Sequence, residues 1–297
     1  MNQPQIKEFY NRKCEVYNTP LRVAISGKIA AGKTTLAKTL IEIYNLEQIS
    51  FASSLKEYCS AICYFNNTKK ISPLIEISKE ICNINKINLP KFFEKTLEYA
   101  KIYKGFSYSF DPKDPGSEQK TDSSRKMLQY IGEDTRFLFN PSIWINCSLS
   151  KLSFDGRYIV DDLRTPLEYD ALKEAGFFLI RLVVTESNQK ERIIKRHGSY
   201  DETIFTHPTE TFLDFSDFDF YINANPIAKN VLMKGIAVLN ILDYSAAKLN
   251  NILKSGNTND YRRNLIMEFE NRSLEDGDST NYYSSRYRSD SCEDYFT

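Results

Sequence analysis

The stretch "GKIAAGKTT", Gly27 to Thr35, constrains this 297-residue chain more than any other, because it fits G-x-x-x-x-G-K-[ST] without a mismatch. Such a loop does its work only between a buried strand and a helix. Before it runs Leu21, Arg22, Val23, Ala24, Ile25 and Ser26, an apolar and β-branched segment of the kind found in buried parallel strands. After it, Leu36, Leu40 and Ile43 recur at helical spacing with no Gly or Pro among them. Gly27 and Gly32 allow backbone conformations closed to residues with a Cβ, so successive N–H groups can turn toward phosphate oxygens. The helix beginning near Lys33 adds the positive end of its dipole. The loop residues Gly27, Lys28, Ala30, Ala31, Gly32, Lys33, Thr34 and Thr35 are therefore the candidate nucleotide-binding set. Within it Lys33 would reach the β- and γ-phosphates and the Thr34 hydroxyl would bind Mg²⁺. A glycine-punctuated turn capping an ordinary helix is the plainer reading, and the matching flanks weigh against it.

From Leu21 to about Asn225 strand-like runs alternate with helical patterns, which predicts an α/β domain with a mainly parallel sheet. The strand candidates are 21–26, "QISF" at 48–51, "WINC" at 144–147, "RYIVDD" at 157–162, "FFLIRLVV" at 177–184 and "DFYIN" at 219–223. Residues 68–104 read as a helical insertion, 108–124 as a mobile polar loop, and 226–254 as one or two helices. The organisation expected is a polar lead-in over 1–18, one domain over 19–254 with an insertion at about 60–140 and a lid at about 190–212, and a disordered polar tail over 255–297.

Net charge is zero, from 39 basic and 39 acidic side chains, which argues against a protein devoted to nucleic-acid backbone or anionic membrane. The six cysteines form no C-x-x-C pair and only two histidines accompany them, so reduced thiols and no metal cluster are expected. The opening segment lacks the apolar core of a secretory signal, and the most apolar run, "AGFFLIRLVV", is short and contains Arg181. A soluble, cytoplasmic protein is the expectation.

A second constellation is "VDDLRTPLEYDALKEAG". Carboxylates ending an apolar strand at the C-terminal edge of a parallel sheet are where a phosphate-binding loop would find a second Mg²⁺-organising group. Asp161 or Asp162 can serve, and Arg164 follows close enough to bring a guanidinium into the same cleft. Alternatively one of these aspartates simply caps the helix starting near Pro166. A third constellation places Arg192 and Arg196 four apart on one helix face, followed by a stretch broken by glycine, aromatic and polar residues. That suits a lid carrying cations over a transferring phosphoryl group, although a solvated basic face explains the same pair. His207 and Glu210, in "THPTE", read as capping residues.

Taken together these pieces resemble the deoxynucleoside monophosphate kinases of bacteriophages and large DNA viruses. "FASSLK", Phe51 to Lys56, matches an F-A-x-x-L-K segment of that family; "LQYIGEDTR", Leu128 to Arg136, matches L-Q-x-x-G-x-x-x-R. Asp162, Arg164, Pro166 and Glu168 match D-x-R-x-P-x-E, and "HPTE" with "DFSDFDFYINAN" matches an H-x-[ST]-E element and an acidic run ahead of the last strand. The likeness spans about residues 21 to 225, while Thr165 and Leu167 stand where an aromatic and an asparagine are more usual. It implies a P-loop three-layer α/β/α fold with a helical acceptor-binding insertion and a lid. It also implies ATP- and Mg²⁺-dependent phosphorylation of a deoxynucleoside 5′-monophosphate for DNA precursor synthesis, in host cytoplasm if the source is viral, with a homodimer as in many such relatives. Carried over residue by residue, it puts Lys33 and Thr34 at the donor phosphates, with Phe51, Lys56, Arg136, Asp162 and Arg164 around the acceptor and Arg125 as a further acceptor-side candidate. Two other readings fit the same loop. One is a same-fold kinase of a small phosphorylated alcohol, such as phosphomevalonate; the other is a non-catalytic nucleotide switch, against which no N-K-x-D motif is found.

Overall fold

A computed structural model describes residues 20–112, 118, 121–199, 208–225 and 228–253. The expected lead-in over 1–18, His207, the tail over 255–297 and the middle of the 108–124 segment lie outside the described residues. The chain divides into two compact units, one built from residues up to Gln48 and from Ser153 onward, the other from Ile49 to Leu152.

The first unit is an α/β fold around an all-parallel sheet. Its strands are β1 (Leu21–Gly27), β2 (Glu47–Gln48), β3 (Arg157–Leu163), β4 (Phe178–Val183) and β5 (Phe220–Asn223), in the spatial order β2-β3-β1-β4-β5. β1 is central and buried, flanked by β3 and β4, which is why it reads as a continuous apolar run. Helix α1 (Lys33–Tyr44) follows the glycine loop and lays Leu36, Leu40 and Ile43 into a core shared with β1, β4 and β5. The long helix α10 (Ala228–Leu253) adds Val231, Leu232, Ile236, Leu239 and Leu242 to that core. The Tyr44 hydroxyl, buried between the two helices, donates to Ile236 O at 2.9 Å and is therefore satisfied.

The register of β3 against β1 is irregular. Ala24 faces Val160 while Ser26 faces Leu163, so β3 carries one extra residue at Asp161–Asp162. A bulge there turns the strand's last side chains away from strict alternation. After β3, helix α7 (Pro166–Glu174) starts at a capping box in which Thr165 Oγ1 accepts from Glu168 N at 3.3 Å and Glu168 Oε2 accepts from Thr165 N at 2.9 Å. Neither aspartate caps it. Helix α8 (Glu186–His197) follows β4, and the short α9 (Pro208–Thr211) precedes β5.

The second unit is helical: α2 (Ser53–Thr68), α3 (Ser72–Asn85), α4 (Leu89–Ile102), α5 (Asp122–Leu138) and α6 (Ile143–Leu149). It encloses the stretch expected as an insertion and has its own core, with Tyr58, Phe92, Ile131 and Trp144 at its centre. The Tyr58 hydroxyl meets Thr96 Oγ1 at 2.6 Å and Trp144 Nε1 donates to Thr135 Oγ1 at 3.2 Å, so both aromatic polar atoms are paired inside it. "WINC" is corrected here: it lies in α6, not in a strand. Ile143, Trp144 and Cys147 stand at i, i+1 and i+4 and all bury, a pattern that a four-residue window does not separate from a buried strand. Of "QISF" only Gln48 is in a strand, as the second residue of β2, and the C-terminal end of the polar segment is already helix from Asp122, with Thr121 as its cap. Cys59, Cys63, Cys82 and Cys147 are buried free thiols, and burial raises Cys63, Cys82 and Cys147 to about 11. Among the described residues no helix is long and apolar enough to cross a membrane.

Candidate active site

The loop between β1 and α1 owes its shape to three positive φ angles: 153° at Gly27, 59° at Ala30 and 95° at Gly32. A Cβ on Gly27 would stand 2.9 Å from Leu182 O, so the strand can enter the loop beside β4 only as glycine. Gly32 is the residue immediately before α1, and the first turn of that helix holds Lys33, Thr34 and Thr35. Lys33 folds back under the loop and donates to Gly27 O at 2.5 Å and Lys28 O at 3.0 Å. It is 8% exposed, and burial lowers its pKa to about 8. The Arg164 and Arg181 charges push the same way, and the Glu210 and Asp161 carboxylates oppose them. A cation held this far from its usual range gains from the arrival of a polyanion.

Of the two aspartates ending β3, Asp161 is the buried one; it accepts from Gln48 Nε2 at 2.8 Å and its charge is felt at Lys33. Asp162, the carboxylate of the D-x-R-x-P-x-E match, is half-buried. The extra residue in β3 falls at these two positions, so alternation along the strand does not assign their faces. Arg164 leaves the end of β3 with its main-chain N–H held by Glu168 Oε2 at 2.9 Å, and its guanidinium pairs with Glu210 Oε1 at 3.4 Å.

On the other side of the loop is a cavity of about 560 Å³, lined by Gly32, Thr35, Leu36, Arg192, Arg196, Asn225 and Val231 among others. Its size suits a nucleoside, and its wall joins apolar to cationic and amide groups. Arg192 and Arg196, one helical turn apart on α8, both reach it. Arg192 donates to Ala30 O at 3.2 Å and Ala224 O at 2.6 Å, so it also ties the loop to the end of β5. The lid expected at about 190–212 is described only in part, because 200–207 lie outside the described residues.

Three residues in this half of the site were given no part in it by the sequence. Glu210, read as a cap, is 7% exposed and accepts from Ile29 N at 2.5 Å. Arg181, seen only as a charge in an apolar run, donates to Ser26 Oγ at 2.8 Å and to Asp214 at 2.7 Å; burial lowers its pKa, against the pull of Asp214 and Glu210. Gln189 donates to Ile29 O at 2.8 Å. The only available signal was the H-x-[ST]-E element, which marks Glu210 without saying what it touches.

The acceptor-side candidates Phe51, Lys56, Arg125 and Arg136 belong to the second unit. Phe51 is buried and packs rather than offering a ring face. Lys56 Nζ pairs with Glu118 Oε2 at 2.8 Å and lies 5.0 Å from the Phe110 ring centroid, while the Tyr108 hydroxyl donates to Glu118 Oε1 at 2.9 Å. Arg125, in the first turn of α5, is exposed 3.7 Å from Asp122, and Arg136 is exposed in the last turn of the same helix. No three His, Cys, Asp or Glu side chains gather to hold a metal among the described residues. No protein-family model matches this chain, and no curated protein matches it in sequence.

Proposed function

We propose that the protein is a nucleotide-dependent phosphotransferase of the P-loop three-layer α/β/α class. The observation that carries the proposal is the buried Lys33 ammonium beneath a loop of positive-φ residues, next to a nucleoside-sized cavity. The strand order β2-β3-β1-β4-β5 supports the layering: right-handed crossovers place α1 on one face of such a sheet and α7 and α8 on the other. The particular activity we infer is transfer of the ATP γ-phosphoryl group to a deoxynucleoside 5′-monophosphate. This rests on the D-x-R-x-P-x-E residues Asp162, Arg164, Pro166 and Glu168 together with the Lys56 and Arg136 segments.

In this reading the loop amides and Lys33 hold the donor phosphates, and the cavity beside Arg192 and Asn225 takes the adenine. Thr34 and a carboxylate at the end of β3 would hold Mg²⁺, which would supply positive charge to offset that of the phosphates. Arg164 binds the acceptor's phosphate and keeps it in line with the donor. Arg192 and Arg196 supply positive charge at the donor end as the transferred group moves. The acceptor phosphate is ionised at neutral pH and needs no general base.

The test is a coupled ADP-release assay with ATP and Mg²⁺ against dTMP, dGMP, dCMP, dAMP, UMP, GMP and phosphomevalonate. Turnover on a deoxynucleotide that falls about 100-fold or more in both Lys33→Ala and Arg164→Ala is the expected result. Turnover on phosphomevalonate alone assigns the protein to the alcohol-phosphate kinases. ATP binding without turnover on any acceptor refutes a transferase.

A further inference from the structure

Ile29, at the tip of the glycine loop, is gripped by side chains on both of its backbone groups. Its N–H donates to Glu210 Oε2 at 2.5 Å and its carbonyl accepts from Gln189 Nε2 at 2.8 Å. The next residue, Ala30, sits at φ 59° and its carbonyl accepts from Arg192. The tip is therefore held by side chains of α8 and α9 in addition to the loop's own contacts, Lys33 to the Gly27 and Lys28 carbonyls and Ala31 N–H to Lys28 O. Glu210 does more than hold backbone, because its second oxygen faces the Arg164 guanidinium at 3.4 Å. Its two oxygens thus meet two donors, the Ile29 N–H and the Arg164 guanidinium.

We propose that Glu210 is a positioning residue for phosphoryl transfer, its carboxylate fastening the tip of the donor-holding loop and the acceptor arginine Arg164 to each other. The proposal rests on the kinase reading. Arg164 is then held twice by carboxylates, at its main chain by Glu168 and at its head by Glu210. The Arg164 side chain is 46% exposed, and unpaired it would sample many rotamers. At 3.4 Å the pair restricts the guanidinium while leaving its other N–H groups to meet a phosphate. Glu210 itself repels phosphate, so its contribution passes through Arg164 and the loop and not through contact with substrate. The same carboxylate fixes the relative placement of two groups that must approach to within an ångström of their working geometry, where small displacements cost rate steeply.

The experiment compares wild type, Glu210→Gln, Arg164→Lys and the double variant in the full chain, measuring kcat and KM on the best acceptor and Mg·ATP affinity by calorimetry. The expected result for Glu210→Gln is a kcat lowered about 10- to 100-fold with ATP affinity within about 3-fold of wild type. The double variant should be no worse than the poorer single, since both substitutions break one link. Glu210→Asp keeps the charge but withdraws it by one methylene; it should fold and lose kcat in the same direction. Unchanged kcat in folded Glu210 variants, or losses that simply multiply in the double variant, would overturn the positioning role while leaving the kinase reading intact. A wild type that binds ATP but turns over no acceptor removes the kinase reading, and the positioning role falls with it.

Discussion

Replacing Lys33 by methionine should make the empty protein more stable at neutral pH and less stable at high pH. The side chain is 8% exposed, and burial lowers its pKa from 10.5 to about 8. At 1.36 kcal/mol per pKa unit, carrying the charged form into the fold costs about 3 kcal/mol relative to the unfolded chain. Methionine removes that cost but also forfeits the hydrogen bonds to Gly27 O and Lys28 O, worth about 1 kcal/mol each. Near pH 7 the variant is thus expected to gain about 1 kcal/mol. Above the unfolded pKa, where lysine is neutral in both states, it should lose about 2 kcal/mol.

The direction follows from proton counting. Between about 8 and 10.5 the unfolded chain holds a proton that the folded chain has released, so wild-type stability rises with pH across that window. Below it the penalty is fully present, and above it the penalty is gone. Urea unfolding of both proteins at several pH values between 6.5 and 10.5 measures the effect, and taking the difference cancels the titration of every other group. A difference that stays flat with pH, or a methionine variant weaker at neutral pH, would refute the reasoning. Saturating Mg·ATP should reverse the order at neutral pH, because ligand at about 100 times Kd adds about 2.7 kcal/mol to wild type and little to a variant lacking the ammonium.

Gly27→Ala places a methyl group 2.9 Å from Leu182 O at φ 153°, and main chain cannot yield as a side chain does. Destabilisation of about 2 kcal/mol or more is expected from thermal unfolding, with ATP binding lost; a wild-type melting curve would contradict the close approach of loop and strand. Val231→Trp should fill the cavity beside the loop and weaken ATP binding about 10-fold or more while inorganic triphosphate binds as before. Equal losses for both ligands would show that the cavity does not hold the base.

The glycine loop and its flanks were legible in the sequence because their constraints are local. A positive φ asks for glycine at Gly27 and Gly32, and a buried parallel strand asks for an apolar run from Leu21 to Ile25. Ala30 shows the limit of that logic, since it takes φ 59° with a Cβ in place and depends on Arg192 at its carbonyl. "WINC" was misread because four residues are too few to show a period, and what decides their state is the helical core that Trp144 enters.

The choice between Asp161 and Asp162 was out of reach for a different reason. Alternation along a strand assigns a face to each residue only while the register holds, and here one extra residue enters β3 at these two aspartates. Glu210 is the extreme case. Its partners Ile29 and Arg164 lie 181 and 46 residues away, so no local pattern encodes the contact. Under the proposed function, residues that touch phosphate announce themselves through the chemistry phosphate demands, as Lys33 and Arg164 would. A residue that only holds them in place obeys no such demand, and any element that delivers a carboxylate to the same point would serve. The positioning groups of this site are therefore the ones that only the folded chain reveals, and substitutions at Glu210, Gln189 and Asp161 probe what the motif residues alone cannot explain.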